Sequence, residues 1–370
     1  MNNTIFWSSV FSILLLTVGC RQQESDSDSV VTEHAGEGFN YDLVVDAETL
    51  RLWAEAGLEG EVLRTMPRGT KLKDLGQVSS FTSRIKLAGQ VYDEPWIKVQ
   101  TATGERGWVY ARLPDFQLPA GKKSKEWQYE KRLQAYLGSE KTVALTEYQQ
   151  AFQQINSLTD FANIYEQGMK LRMDLVQALE GEMSQLGMDK QPDLFWLAEV
   201  VPAFVPQLVA EGTAYYLFAD YHQWLLKAQQ TPAPEDDSFI NFCISIFPQD
   251  SIEYFFPVWE IQTWDYGGHS LLGRGYHFTA IQTIDRLDQQ GTTFSSYLQD
   301  WKQALIDDIT DLKTTYWEEQ PVALKELTQI VSAEFACLSR DDKIALQIRL
   351  EQFEDATKHN VKFNYKSGLD

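Results

Sequence analysis

The hydrophobic period of the chain changes once, and that change limits what it can fold into. From Tyr41 to about residue 116 the apolar residues come in short alternating runs broken by Gly and Pro. Leu50-Arg51-Leu52-Trp53 alternates, and Met66-Pro67-Arg68-Gly69-Thr70 turns into Lys71-Leu72-Lys73. Pro95-Trp96-Ile97-Lys98-Val99-Gln100 then leads through Thr103-Gly104 to Gly107-Trp108-Val109-Tyr110. A period of two marks half-buried strands. From Lys125 onward the spacing is three and four, as in Leu158, Phe161, Ile164, Tyr165, Met169, Leu171, Leu175 and Leu179, which marks amphipathic helices. A chain of 370 residues has room for two such units, and the pattern predicts a β-rich module followed by a larger all-α domain over residues 122–358 with eight to ten helices.

Two further segments precede the strands. Ile5 to Val18 is an apolar run of about fourteen residues, the length of a signal h-region and shorter than a membrane-spanning helix. It ends in Thr17-Val18-Gly19-Cys20, which resembles the lipobox of bacterial lipoproteins, although Thr17 stands where Leu is usual. The resemblance implies a signal peptide over residues 1–19 and a diacylglycerol-modified Cys20 as the first mature residue. Residues 20–40, opening with Arg21-Gln22-Gln23-Glu24-Ser25-Asp26-Ser27-Asp28-Ser29, read as an acidic, solvated tether. Such a run after the Cys is similar to surface-export signals of some diderm lipoproteins. The expected location is the cell envelope outside the cytoplasm, lipid-anchored at the outer membrane. An ordinary cleaved signal peptide with an incidental Cys is the alternative.

The β module, residues 41–116, resembles the bacterial SH3 (SH3b) family in the order of Leu50-Arg51-Leu52, Pro67-x-Gly69-Thr70-x-Leu72, Pro95-Trp96-x-Lys98-Val99 and Gly104-x-x-Gly107-Trp108-Val109. The family pattern after the first strand is replaced here by Leu52-Trp53-Ala54-Glu55-Ala56-Gly57, and Gly76 to Glu94 is an added segment. The resemblance implies a small, partly open SH3-like β-barrel, so the fold class is expected to be α+β and multidomain. Strand alternation puts Leu50, Leu52, Ile97, Val99 and Val109 inside and Trp53, Trp96, Trp108 and Tyr110 on the other face. Those four rings either form a groove that stacks on a sugar or peptide or seal the module against the next domain.

In the helical part, Leu194 to Leu226 is apolar almost all round and reads as a buried central helix, with Glu211, Tyr215, Phe218 and His222 on one face. That face is either acid/base machinery or a satisfied polar network. Glu199, Glu211, Pro202 and Pro206 rule out a membrane span there. Trp264 to His277 concentrates four Gly with Asp265, His269, Arg274 and His277. Gly268-His269-Ser270-Leu271-Leu272 lacks the last Gly of a nucleophile elbow, and Gly268 to Gly275 lacks the Lys and Ser/Thr of a phosphate-binding loop. What remains is a pocket loop in which Arg274 meets an anion, or a tight helix crossing. His269 and His277 without a third ligand make no metal site, and no cofactor is expected. Cys243 and Cys337 are left to pair or to stay as buried thiols. Ser339-Arg340-Asp341-Asp342 reads as a capping box.

The balance of 32 Lys and Arg against 53 Asp and Glu, a net −21, disfavours nucleic-acid binding. Most of it lies in residues 119–370, with 21 basic and 37 acidic side chains. No complete catalytic motif occurs, so the expected function is a non-enzymatic, lipid-anchored binding or scaffold protein that contacts cell-wall glycan or peptide or an envelope protein. An envelope hydrolase, with the helical domain catalytic and the SH3b-like module targeting it, is the alternative.

Overall fold

The computed structural model describes residues 42–112, 115–118, 124–183, 194–209, 214–248, 256–262, 268–291 and 293–365. The signal segment, the tether and Cys20 lie outside them, as do Glu211 and Asp265.

Seven strands build one antiparallel sheet: β1 (Asp42–Val45), β2 (Thr49–Trp53), β3 (Val62–Pro67), β4 (Lys71–Leu87), β5 (Gln90–Thr101), β6 (Arg106–Tyr110) and β7 (Phe116–Gln117). Their order is β3-β2-β6-β5-β4-β1-β7. β3 and β7 stand at opposite ends of that order, so no closed barrel forms among the described residues. The added segment Gly76 to Glu94 forms the outer part of a long β4–β5 hairpin. Ala88 and Gly89, both at positive φ (50° and 85°), close it in a two-residue turn. Register shifts between Asp74 and Val78 and between Val78 and Thr82 bend β4. The inward residues are those that alternation predicts: Leu52, Ile97, Val99 and Val109 are fully buried and Leu50 nearly so. Gly107 is required where β6 meets β2, because a Cβ there would stand 2.6 Å from the Trp53 carbonyl oxygen.

Among the described residues the remainder carries eight α-helices: α1 (Ser124–Gln153), α2 (Leu158–Met183), α3 (Tyr221–Ala228), α4 (Pro234–Ile246), α5 (Tyr276–Gln290), α6 (Ser295–Thr310), α7 (Gln320–Ser332) and α8 (Arg340–Glu354). It is not all-α. A hairpin of β8 (Phe204–Val209) and β9 (Ala214–Ala219) replaces the central helix expected over Leu194 to Leu226, and β10 (Glu260–Gln262) pairs with β11 (Gly268–Ser270). The physical reason is that apolar residues occupy both faces of β8 and β9, although burial in β8 alternates and Leu208 is exposed, so the sequence lacks the alternation that would mark a strand. Pro206 and the β-branched and aromatic residues around it were the local signal for strand. The capping box at the start of α8 is present, with Ser339 and Asp342 exchanging hydrogen bonds.

One helix belongs to both cores. Trp127 of α1 is 1% exposed and completes the apolar interior of the sheet against Phe116, whereas Leu133, Leu145 and Tyr148 further along α1 join the helical core. Between these stretches Lys131 Nζ lies 3.0 Å from Asp74 Oδ2, both side chains buried. Arg132 grips Glu94 through two hydrogen bonds, Nε to Oε2 at 2.9 Å and Nη2 to Oε1 at 2.7 Å, and Gln128 donates to the same carboxylate. Burial pushes the Glu94 carboxyl above its usual range, and Arg132 opposes that shift. Removing one partner of a buried pair strands the other charge in a low dielectric. Lys131→Met should therefore lose about 3–5 kcal/mol in denaturant titration, and Lys131→Met with Asp74→Leu should recover most of it.

Candidate functional site

The four rings of the sheet do not share one open face. Trp96 and Tyr110 are 1% and 6% exposed, while Trp53 and Trp108, opposite one another on β2 and β6, are half-buried. The bent β4 covers the first two. The Trp96 backbone N–H donates to Ser79 Oγ at 2.9 Å and its indole N–H to Ser83 Oγ at 2.8 Å. Tyr110 donates its O–H to the Ser83 carbonyl at 2.7 Å and accepts the Glu94 N–H at 3.0 Å. Burial raises the Tyr110 phenol above its ordinary value. What stays open is a strip of Trp53 and Trp108, with Lys98 Nζ 5.6 Å from the Trp108 ring centre and Trp96 edge-on behind Trp53. Exposed Phe81 of β4 reaches the turn at Gly57 beside it.

The glycine-rich loop is a tight crossing. Gly273 has φ +112°, and a Cβ there would stand 2.9 Å from Val322 Cγ1 and 3.1 Å from the Ala323 nitrogen. Gly275, at φ +84°, opens α5. The anion that its backbone N–H groups face comes from the chain itself: Glu326 of α7, 3% exposed, accepts from Gly273 at 2.5 Å, Gly275 at 2.8 Å and Phe278 at 3.0 Å. Arg274 likewise pairs with Glu318 at 2.8 Å rather than standing over a pocket. Neither glutamate was singled out from the sequence. Glu326 shares α7 with the buried Ala323, Leu327 and Ile330, a carboxylate amid an apolar stripe, which is the one signal that could have found it.

His269 and His277 diverge. His269 Nδ1 lies 2.6 Å from Thr315 Oγ1 and its ring stacks on Tyr365 at 4.3 Å. His277 is fully buried, with Nε2 2.7 Å from Asp308 Oδ2, the oxygen to which Ser270 also donates at 2.5 Å. His277 Nδ1, by contrast, has no hydrogen-bond partner among the described residues. Glu260 on β10 faces the same carboxylate. Burial, then the charge of Asp308, pushes its carboxyl up to about 8. Asp308 on α6 was not singled out from the sequence.

The face expected to join Glu211, Tyr215, Phe218 and His222 does not exist as a helix. Tyr215 and Phe218 lie in β9 opposite Leu208 and Val205, and His222 is exposed at the start of α3. Cys243 and Cys337 are both buried with no disulfide between them, and burial pushes the Cys337 thiol up to about 12. Among the described residues no group of three His, Cys, Asp or Glu is placed to hold a metal ion, and no helix is long and apolar enough to cross a membrane. Comparisons with family models, curated proteins and solved structures find no match to this chain.

The Glu260 shift sets a pH dependence. Its folded-state carboxyl binds a proton more tightly than an unfolded one. The stability it contributes is full below the ordinary carboxylate value and declines as pH rises through about 8. Thermal unfolding followed from pH 4 to 9 should show a falling melting temperature that Glu260→Gln flattens; parallel profiles would contradict this assignment.

Proposed function

We propose that this chain is a lipid-anchored envelope protein, acylated at Cys20 and held at the outer membrane, whose sheet is an SH3b-like module elaborated by the long β4–β5 hairpin. It acts without catalysis, as a binding or scaffold protein for cell-wall glycan or peptide or for an envelope partner. The observation that carries the reading is the half-open pair Trp53 and Trp108 with Lys98 over one ring. Adjacent, half-buried aromatic rings suit stacking on a sugar or an extended peptide. The polar side chains of the glycine-rich loop are turned inward on Glu318, Glu326 and Asp308, which supports a structural role for them.

A hydrolase is the second reading, favoured by one observation, the Asp308–His277 pair with its bare Nδ1. Activity of the purified protein in peptidoglycan zymograms or an esterase panel that is lost in His277→Gln would select it.

The leading reading is tested in two arms. Growth with a labelled fatty acid should label the wild type and leave Cys20→Ala unlabelled and in the aqueous phase of a detergent split. Trp53→Ala with Trp108→Ala should weaken sedimentation with purified cell wall or envelope extract by about tenfold or more while leaving the melting temperature near wild type. Binding that survives both substitutions would remove the strip from the function. Trp96→Ala is unsuited to this purpose, since that ring is part of the fold.

A further inference from the structure

The outward face of α8 carries an exposed apolar pair flanked by charge. The helix buries Leu346, Arg349 and Phe353 and leaves Ile344 and Ile348, four residues apart, 47% and 50% exposed. Beside them a shallow groove of about 450 Å³ is bounded by Leu338, Arg340, Lys343, Ile344, Gln347 and Ile348. Charge is distributed along the same side of the helix: exposed Arg340 and Lys343 in its first turn, exposed Glu351 and Glu354 in its last. None of these four has an ion-pair partner within 4.0 Å among the described residues; Glu351 only accepts a hydrogen bond from Gln347 at 3.4 Å.

This distribution is unfavourable for a lone helix. Basic side chains face the positive end of the backbone dipole and acidic ones the negative end. Two acids share the first turn: Asp342 is taken up by the Ser339 capping box and by Lys302, and exposed Asp341 lies across Ile344 and Ile348 from Arg340 and Lys343. A second α8 running antiparallel sets its acidic last turn against Arg340 and Lys343 of the first turn. At 3.6 residues per turn Arg340, Lys343, Gln347, Glu351 and Glu354 lie to one side of the Ile344–Ile348 seam, and a two-fold axis perpendicular to the helix near Gln347 keeps that side on that side. Arg340 and Lys343 of each chain then meet Glu351 and Glu354 of the other, and each Ile348 approaches the other chain's groove.

We infer that the α8 face is the interface of an antiparallel, two-fold symmetric homodimer of this chain. The inference is independent of the proposed ligand and of the anchor. One helix pair buries less than the roughly 1,200–2,000 Å² of a tight complex, so the dimer is weak and reversible.

The experiment uses the full-length chain in mild detergent, by light scattering and sedimentation over a concentration series reaching about 1 mM. Wild type should pass from monomer to dimer, and Ile348→Asp should weaken that by about tenfold or more. Arg340→Glu with Lys343→Glu in one variant, and Glu351→Lys with Glu354→Lys in another, should each be monomeric, and an equimolar mixture of the two should form a heterodimer. Both charge variants suit the helix dipole better than wild type, so helicity by circular dichroism should not fall, and loss of the dimer cannot be assigned to unfolding. A wild type that stays monomeric, a dimer that both variants retain, or a mixture that stays monomeric each overturns the inference.

Discussion

Helix α1 is the element on which the two halves depend. A seven-stranded open sheet has one apolar face to cover, and the strands alone do not cover it; Trp127 supplies the missing large ring. The same turn of helix brings Lys131 and Arg132 onto Asp74 and Glu94, which are almost completely buried. Burying two carboxylates is tolerable only because both cations arrive together with the aromatic ring. The sheet and the helical part are thus joined by groups that neither can leave unpaired. A chain cut between residues 118 and 124 would leave two acids in apolar surroundings and an uncovered sheet.

The helical part shows the same habit of answering buried charge from within. Glu326 satisfies the start of α5, Asp308 satisfies His277 and Ser270, Lys302 satisfies Asp342, and Arg349 donates to the Ile309 and Asp311 carbonyls and to the Tyr316 hydroxyl. These contacts pull helices of distant sequence position together through polar groups as well as apolar ones. Glu326 and Arg274 also explain why a glycine-rich, histidine-bearing loop is so reactive in composition and so closed in structure. Its partners were carried on α7 and on the segment before it, some fifty residues away.

The legible residues were those whose local pattern and tertiary role coincide. Leu52, Ile97, Val99 and Val109 alternate and are buried; Leu158 to Leu175 step by three and four and lie in α2; Ser339 and Asp342 form their capping box. Leu194 to Leu226 was misread because apolar residues on both faces of the β8–β9 hairpin remove the alternation that separates strand from helix. Trp96 and Tyr110 sat on the predicted face, but their cover came from the bent middle of β4, whose own residues Ser79 and Ser83 carry no local sign of where they will fold.

What the sequence by itself determined is the division into a strand-rich and a helix-rich part, the inward set of the sheet, the α8 capping box and the charge excess, because each follows from backbone period, local spacing or composition and needs no distant partner. Tertiary structure alone decided which charges meet and which rings stay open. Asp74 with Lys131, Glu94 with Arg132, Asp308 with His277 and Glu326 with the α5 start lie 31 to 57 residues apart at their closest and widest. A pairing of that kind depends on where two elements pack, which no window of neighbouring residues contains.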